Sequence, residues 1–377
     1  MLEEAKQGFE NTFGYKSTGV WSAPGRANLI GEHTDYNNGF VFPFGIDRRT
    51  YVALSSRDDN KCRVASGISD QFFEWELSEN KPVGLDWALY PLGVAWTMRE
   101  NAKGGFDAFF VSDVPVGAGL SSSAAIECSI GTALNEIWDA GYSKQQIALL
   151  GQKAENEVVG APTGIMDQTA SMLAQTDAAV LIDCKTLDTE LVPLGLSNKG
   201  LVVAVMDTRV SHRHSDGGYR SRREACEKGA AAMGVESLRD VSTADLDRAK
   251  QMLDDVTFRR CRHVITENER VLEAVKALKA SDMPRLGELL LESHASMRDD
   301  FEISIEELDT AVEVAMRVGA IGSRMTGGGF GGAAIALIES SKLAELSTQC
   351  KKTFAEKGFA EPNVFAVNPS QGARRDS

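Results

Sequence analysis

No stretch of this 377-residue chain approaches the roughly 20 consecutive apolar residues that a membrane-spanning helix needs. The opening MLEEAKQGFE has neither a basic start nor an apolar centre, which argues against a secretory leader. Positive charge is in deficit: 40 Lys and Arg against 54 Asp and Glu give a net charge of −14. No basic block offers a local exception, so general nucleic-acid binding is not expected. The six cysteines (Cys62, Cys128, Cys184, Cys226, Cys261, Cys350) include no CxxC pair. That spacing argues against a zinc cluster and against a small disulfide-stapled fold. His212 and His214 stand two apart, but no third ligand follows at a metal-site spacing. There is no GxxxxGK(S/T) phosphate loop either. What remains is a soluble, cytoplasmic, packed chain, long for one domain and comfortable for two.

Glycine and serine, by contrast, are concentrated. Phe106–Val114 is rich in aromatic and β-branched residues and reads as a strand. It runs into PVGAGLSSSAA at Pro115–Ala125, after which Ile126, Ile130, Leu134 and Ile137 mark one helical face. Gly117 and Gly119 let backbone approach a ligand that a Cβ would block. A helix start with exposed N–H groups and a positive dipole end suits a phosphate. Ser121, Ser122 and Ser123 can offer hydroxyls to phosphate or to Mg²⁺. Serines at this position also serve as plain helix N-caps, and the segment alone leaves both readings open. Gly117-x-Gly119-x-x-Ser122 imitates a dinucleotide fingerprint, but its third glycine is missing and no other Rossmann signal supports it.

A second dense block is PGRANLIGEHTDYNNG, Pro24–Gly39. Arg26, Asn28, Glu32, His33 and Asp35 crowd into ten positions. So many polar groups line a surface or a cleft rather than a core. Carboxylates and an imidazole accept from hydroxyls while Arg donates to an oxygen, an inventory that suits a sugar. Helices are expected over 2–14, Trp87–Asn101 and Ser143–Val159, with Pro162 and Gly164 fixing a turn ahead of Asp167. Strands are expected at Phe40–Phe44, Arg49–Ser56, Lys61–Ala65, Gln71–Leu77, Val180–Asp183, Leu201–Asp207, Ala333–Ile338 and near Asn363–Val367. A domain boundary falls near Leu196, giving 1–195 and 196–377. The polar start of Ser211–Glu224 becomes a helix bearing Tyr219 and Arg222. The charged stretch Thr243–Val318 reads as helices with a solvated face. Gly322–Gly332, GSRMTGGGFGG, holds five glycines in its last six positions, which implies close approach of backbone to backbone or to ligand.

In that order, PGRANLIGEHTDYNNG, PVGAGLSSSAA and GSRMTGGGFGG resemble the three motifs of the GHMP small-molecule kinases. The first is similar to the galactokinase signature GRxNLIGEHTDY, and GAPTGIMDQ, YRSRREAC, ESHASMRDDFEIS and PSQGA agree with that family too. The resemblance covers almost the whole chain. It implies an α+β, two-domain GHMP kinase fold. The N-terminal domain would be ribosomal-protein-S5-like with a mixed sheet, and the C-terminal one ferredoxin-like, with substrates in the cleft between them. It implies ATP-dependent phosphorylation of the anomeric hydroxyl of galactose. It assigns the sugar to Glu32, His33, Thr34, Asp35, Gly164 and Tyr219, and the triphosphate to Gly117, Ala118, Gly119, Leu120, Ser121, Ser122 and Ser123. Mg²⁺ falls to Ser123 and Glu155, with Glu157 left solvated. Asp167 becomes the base and Arg26 the neighbouring cation that stabilises charge on the transferring group. The family also contains N-acetylgalactosamine kinases and non-catalytic galactose sensors, which stand as alternatives. The expected partners are galactose and Mg-ATP, with no nucleic acid or membrane, in a monomer or weak homo-oligomer.

Overall fold

The computed structural model describes residues 1–67, 69–210 and 215–377. His212 and His214 lie outside the described residues. The chain opens with the amphipathic helix α1 (Leu2–Phe13), stopped by Gly14 in the left-handed conformation. Then follow β1 (Gly19–Asn28), β2 (Phe40–Val41), β3 (Pro43–Ser56), β4 (Lys61–Ser66), β5 (Ser69–Glu76), α2 (Leu89–Met98), β6 (Phe106–Ser112), α3 (Ser122–Ile137), α4 (Lys144–Ala154), α5 (Met166–Leu173), β7 (Ala178–Asp183) and β8 (Thr189–Pro193). The later part runs β9 (Leu201–Asp207), α6 (Ser215–Met233), α7 (Leu246–Met252), α8 (Asp255–Lys279), α9 (Met283–Ser296), α10 (Glu306–Val318), β10 (Gly322–Thr326), β11 (Ala333–Glu339), α11 (Leu343–Lys357), β12 (Asn363–Val367) and β13 (Arg374–Arg375). Among the described residues, no helix is long and apolar enough to cross a membrane.

The fold class is α+β, as expected. A six-stranded sheet runs β13-β1-β3-β6-β4-β5; its β4–β6 pair is parallel and its other pairs antiparallel, so the sheet is mixed. A four-stranded antiparallel sheet, β10-β11-β9-β12, carries the later helices, and β2-β7-β8 form a small third sheet. The core is continuous from one part to the other: Leu29, Phe42 and Phe44 share a cluster with Val271, Leu286, Val203 and Ile335. The chain's last strand also returns to β1, pairing Trp21 with Arg375.

Several sequence expectations shift for local reasons. The strand expected over Phe40–Phe44 divides, because Phe42 turns to bond with Leu29 and Ile30 while β2 and β3 enter different sheets. Trp87–Asn101 is α2 flanked by a 3₁₀ turn at each end. Strand β8 has no counterpart among the expected strands because four of its five residues are exposed, leaving no apolar alternation to read. Ser143 does begin α4, through a reciprocal capping box with Gln146.

Strand β1 is irregular. Its register against β3 shifts between Pro24 and Arg26, from Pro24 opposite Arg49 to Arg26 opposite Gly45. Such a bulge re-aims the side chain that comes after it. Farther along the chain, α9 lies directly on β10: a Cβ on Gly287 would overlap the Ile321 carbonyl. We expect Gly287→Ala to push α9 from the sheet and lower stability by about 1–3 kcal/mol, read as a drop in the thermal midpoint.

Candidate active site

Three loops meet by backbone contact. A Cβ on Gly25 would lie 2.6 Å from the Leu120 carbonyl oxygen, and the Arg26 N–H donates to that same oxygen at 3.1 Å. A Cβ on Gly119 would lie 3.1 Å from the Thr326 carbonyl, and one on Gly327 3.1 Å from the Cα of Gly119. Gly119 (φ +70°) and Gly327 (φ +85°) are both left-handed, so glycine is required on two counts. The sugar-like block, the serine loop and the late glycine loop therefore converge around one cleft of about 530 Å³.

At its centre, Arg26 donates from Nε (2.9 Å) and Nη2 (2.8 Å) to Oδ1 of Asp167 and from Nη1 (2.5 Å) to the Gly119 carbonyl. Ser121 donates its hydroxyl to Oδ2 of Asp167. The alternative reading of these serines as caps fails for Ser121. It occupies the N-cap position of α3 with φ 55° and ψ 53°, and its side chain makes no cap bond. A left-handed non-glycine residue is strained, and here it turns the hydroxyl away from the helix and toward Asp167. Asp167 itself sits in the first turn of α5, a rigid mount rather than a loop.

The Pro24–Gly39 block is held from behind by charges that the sequence pattern alone places on a solvated face. Glu267 and His263 on α8 are fully buried. Glu267 accepts from the Gly31 N–H (2.9 Å), from Ser293 (2.7 Å) and from Arg270 (2.7 Å). Burial works to raise its pKa, but Arg270, His263 and Arg324 hold it down to about 2. His263 Nε2 lies 3.1 Å from the Glu32 carbonyl, and since a carbonyl only accepts, that nitrogen carries the proton. Arg324, wholly buried, spans Glu32 (3.5 Å) and Glu267 (3.8 Å) and donates to the carbonyls of Asn28 and Leu29. Most charges of Thr243–Val318 do face water, as expected, but Glu267 and His263 form a buried brace because that face of α8 packs against the block.

The expected sugar residues divide by what already occupies them. Glu32 Oε1 accepts from the Gly327 N–H (2.7 Å) and Thr326 (3.0 Å), and Oε2 from Asn28 (2.7 Å), so it ties the first block to the glycine loop while Oε2 keeps acceptor capacity. His33 (φ +62°) donates from Nε2 to the Gly328 carbonyl (3.1 Å) and accepts at Nδ1 from Tyr36 (2.8 Å). Burial, aided by His263, pushes its pKa down to about 3, so the ring is neutral and lines the cleft without a spare nitrogen. Asp35 also lines the cleft, and burial with Asp167 nearby pushes its pKa up to about 6. Gly164 faces it: a Cβ there would fall on Oδ2 of Asp35. Tyr219 completes the wall, stacked within 4.9 Å of His33. Thr34 and Ala118 do not line the cleft. The Thr34 hydroxyl bonds to the carbonyls of Gly31 and Phe40, and Ala118 packs in the core.

Gly117, Gly119, Leu120, Ser121, Ser122, Ser123 and Glu155 line the same cleft, and Glu157 is exposed. Glu155 opens the π turn that ends α4, where Gly160 N–H reaches back five residues to its carbonyl. Its Oε2 accepts from Thr163 (2.7 Å) and Gln168 (2.8 Å), and the Ser123 hydroxyl stands close enough to the same carboxylate to favour its charged form. Burial raises its pKa, which a neighbouring cation would reverse. A hydroxyl and a carboxylate side by side form an oxygen-only donor set that fits Mg²⁺. Tyr36, Tyr90 and Arg324 are site residues that sequence reasoning missed. Tyr36 and Arg324 each carried a signal, lying inside a motif, whereas Tyr90 carried none. We expect Arg324→Met to leave Glu32 and Glu267 buried without their shared counter-charge and to cost about 3–5 kcal/mol in urea unfolding.

The galactokinase galactose-binding signature matches residues 7–56, the GHMP kinases N terminal domain 90–175 and the GHMP kinases C terminal domain 274–356. A galactokinase of Streptomyces coelicolor is 47% identical over 374 residues, covering 97% of this chain and 96% of that protein. The crystal structure of Lactococcus lactis galactokinase complexed with galactose superposes with a TM-score of 0.95 at 31% identity, covering 99% of both chains. Methanococcus jannaschii mevalonate kinase shares the fold alone, at a TM-score of 0.68, 18% identity and coverage of 93% and 98%. A cleft built where three glycine-bearing motifs touch, read with a relative this similar along its whole length, places the chain in the galactokinase family of the GHMP kinases.

Proposed function

We propose that this protein transfers the γ-phosphoryl group of ATP to the anomeric hydroxyl of α-D-galactose, giving galactose 1-phosphate and ADP. The observation that carries the reading is the carboxylate of Asp167, fixed by Arg26 on one oxygen and Ser121 on the other, at the junction of the sugar block and the two glycine loops. An oriented carboxylate accepts the hydroxyl proton as the phosphorus–oxygen bond forms. The transition state of phosphoryl transfer is loose, so positioning and charge neutralisation outweigh early deprotonation. Arg26 serves both ends of this requirement, orienting Asp167 while presenting a guanidinium to the cleft. Ser123 and Glu155 would hold Mg²⁺, which when bound neutralises charge on the ATP phosphates. The open helix start of α3 adds N–H donors for the same phosphates. Asp35, with Gly164 leaving room beside it, accepts from a sugar hydroxyl. We place the enzyme in the cytoplasm as a monomer or weak homo-oligomer, a setting that suits six free, buried cysteines.

With Mg-ATP, a panel of monosaccharides should show ADP release on galactose, with N-acetylgalactosamine run beside it to resolve the sister specificity. Asp167→Ala should lower kcat by about 10²-fold or more. Arg26→Met should do likewise, and the double variant should be little worse than either, because the pair acts as a unit. Absence of turnover on galactose by the intact chain would overturn the reading. The pH profile supplies an independent check. Asp35 is ionised only above about 6, so the galactose KM should rise as pH falls through 6. In Asp35→Asn that rise should vanish, leaving a weaker but pH-flat KM.

A further inference from the structure

Behind the pocket wall lies a run of buried polar side chains with no part in that chemistry. Glu127 is fully buried on α3, one turn beyond Ser123 and on the same face. Gln168 is fully buried on α5, next in sequence to Asp167. Its Nε2 donates at 2.8 Å to Oε2 of Glu127 and at 2.8 Å to Oε2 of Glu155. One amide therefore joins two carboxyl groups from two other helices. Among the described residues, Oε1 of Glu127 and Oε1 of Gln168 have no partner. Two carboxyl groups and an incompletely bonded amide in a dry interior are unfavourable, and apolar residues of the same volume would pack there more stably. Their placement between Ser123, Glu155 and Asp167 gives the arrangement a purpose.

We infer that Glu127 and Gln168 are positioning residues, a buried crossbar that holds the Glu155 carboxylate beside Ser123 so that its remaining oxygen faces the cation accompanying ATP. The inference rests on the kinase reading, which puts that cation on Ser123 and Glu155. A carboxylate at the head of a π turn has rotamers to lose, and two donors on Oε2, from Gln168 and Thr163, select one. Glu127 in turn fixes the Gln168 amide by taking its second N–H. Because Ser123 and Glu127 share α3, and Asp167 and Gln168 share α5, the crossbar also sets the metal-side pair against the base. Partners that orient metal ligands in this way are worth about 10-fold to 100-fold in metal affinity or activity when removed.

Calorimetry on the full chain, measuring ADP affinity with and without Mn²⁺ and galactose affinity in parallel, tests this. Glu127→Leu removes one end of the crossbar and Gln168→Met its middle; Glu127→Gln keeps the volume and an acceptor oxygen. The Mn²⁺-dependent gain in ADP affinity should fall about tenfold in Glu127→Leu and Gln168→Met. It should return in Glu127→Gln, and the double variant should lose no more than either single one. Galactose affinity should stay within about twofold. An unchanged gain in either removal variant, an equal loss in Glu127→Gln, a galactose affinity that falls in step, or a parent chain with no Mn²⁺-dependent gain would each overturn the inference. If Glu127→Leu does not fold, Gln168→Met decides by the same criteria; failure of both to fold, with Glu127→Gln intact, assigns the pair to core stability and overturns it. None of these readings needs turnover. A chain that shows the full pattern yet releases no ADP with galactose refutes the kinase reading and leaves the crossbar standing.

Discussion

Everything in the site depends on two backbones touching where no side chain fits. Gly119 and Gly327 press against one another from loops about 200 residues apart in sequence, and both have backbone angles that a Cβ disfavours. That contact brings the start of α3 to the end of β10. The Gly327 N–H then donates to Glu32, which draws in the Pro24–Gly39 block. Once these loops are joined, Arg26 reaches Asp167 and the Gly119 carbonyl together. A methyl group at either glycine would be strained by the positive φ and would press on the opposite loop at 3.1 Å.

Electrostatics make the arrangement stiff. Glu32, Arg324, Glu267 and Arg270 form an alternating series of buried charges, and His263 adds a hydrogen bond to the Glu32 backbone. Buried ion pairs are poor sources of net stability, yet removing one member leaves a charge without compensation. The series is therefore best understood as a device for fixing one geometry. It links β10, α8 and the Pro24–Gly39 block, so the cleft has walls from distant parts of the chain that cannot shift independently. The neutral His33 belongs to the same logic: burial denies it a proton, and its two nitrogens hold Tyr36 and the Gly328 carbonyl.

The backbone irregularities fall at residues that line the cleft. The register shift at Pro24/Arg26 re-aims Arg26, the left-handed Ser121 directs its hydroxyl to Asp167, and the π turn places Glu155. Each gives up some local regularity that the surrounding packing enforces. None of the three is visible in periodicity, because each departs from the pattern that a sequence reading relies on.

The sequence alone determined the strands and helices with strong apolar patterns and the family, with the fold class following from that resemblance, because glycine spacing and a crowded polar block are local and chemically specific. It named Arg26, Asp35, Asp167 and Ser121 as residues of interest, since a motif carries each of them in one continuous stretch, and Glu155 through the family resemblance alone. Only the tertiary structure decided which groups meet. It moved Thr34 and Ala118 out of the cleft, gave the Ser121 hydroxyl to Asp167, and buried His263 and Glu267 of α8 behind the first block while most other charges of Thr243–Val318 stay solvated. The reason is physical: whether a charged side chain faces water or another helix depends on what packs over it, and that partner lies hundreds of residues away.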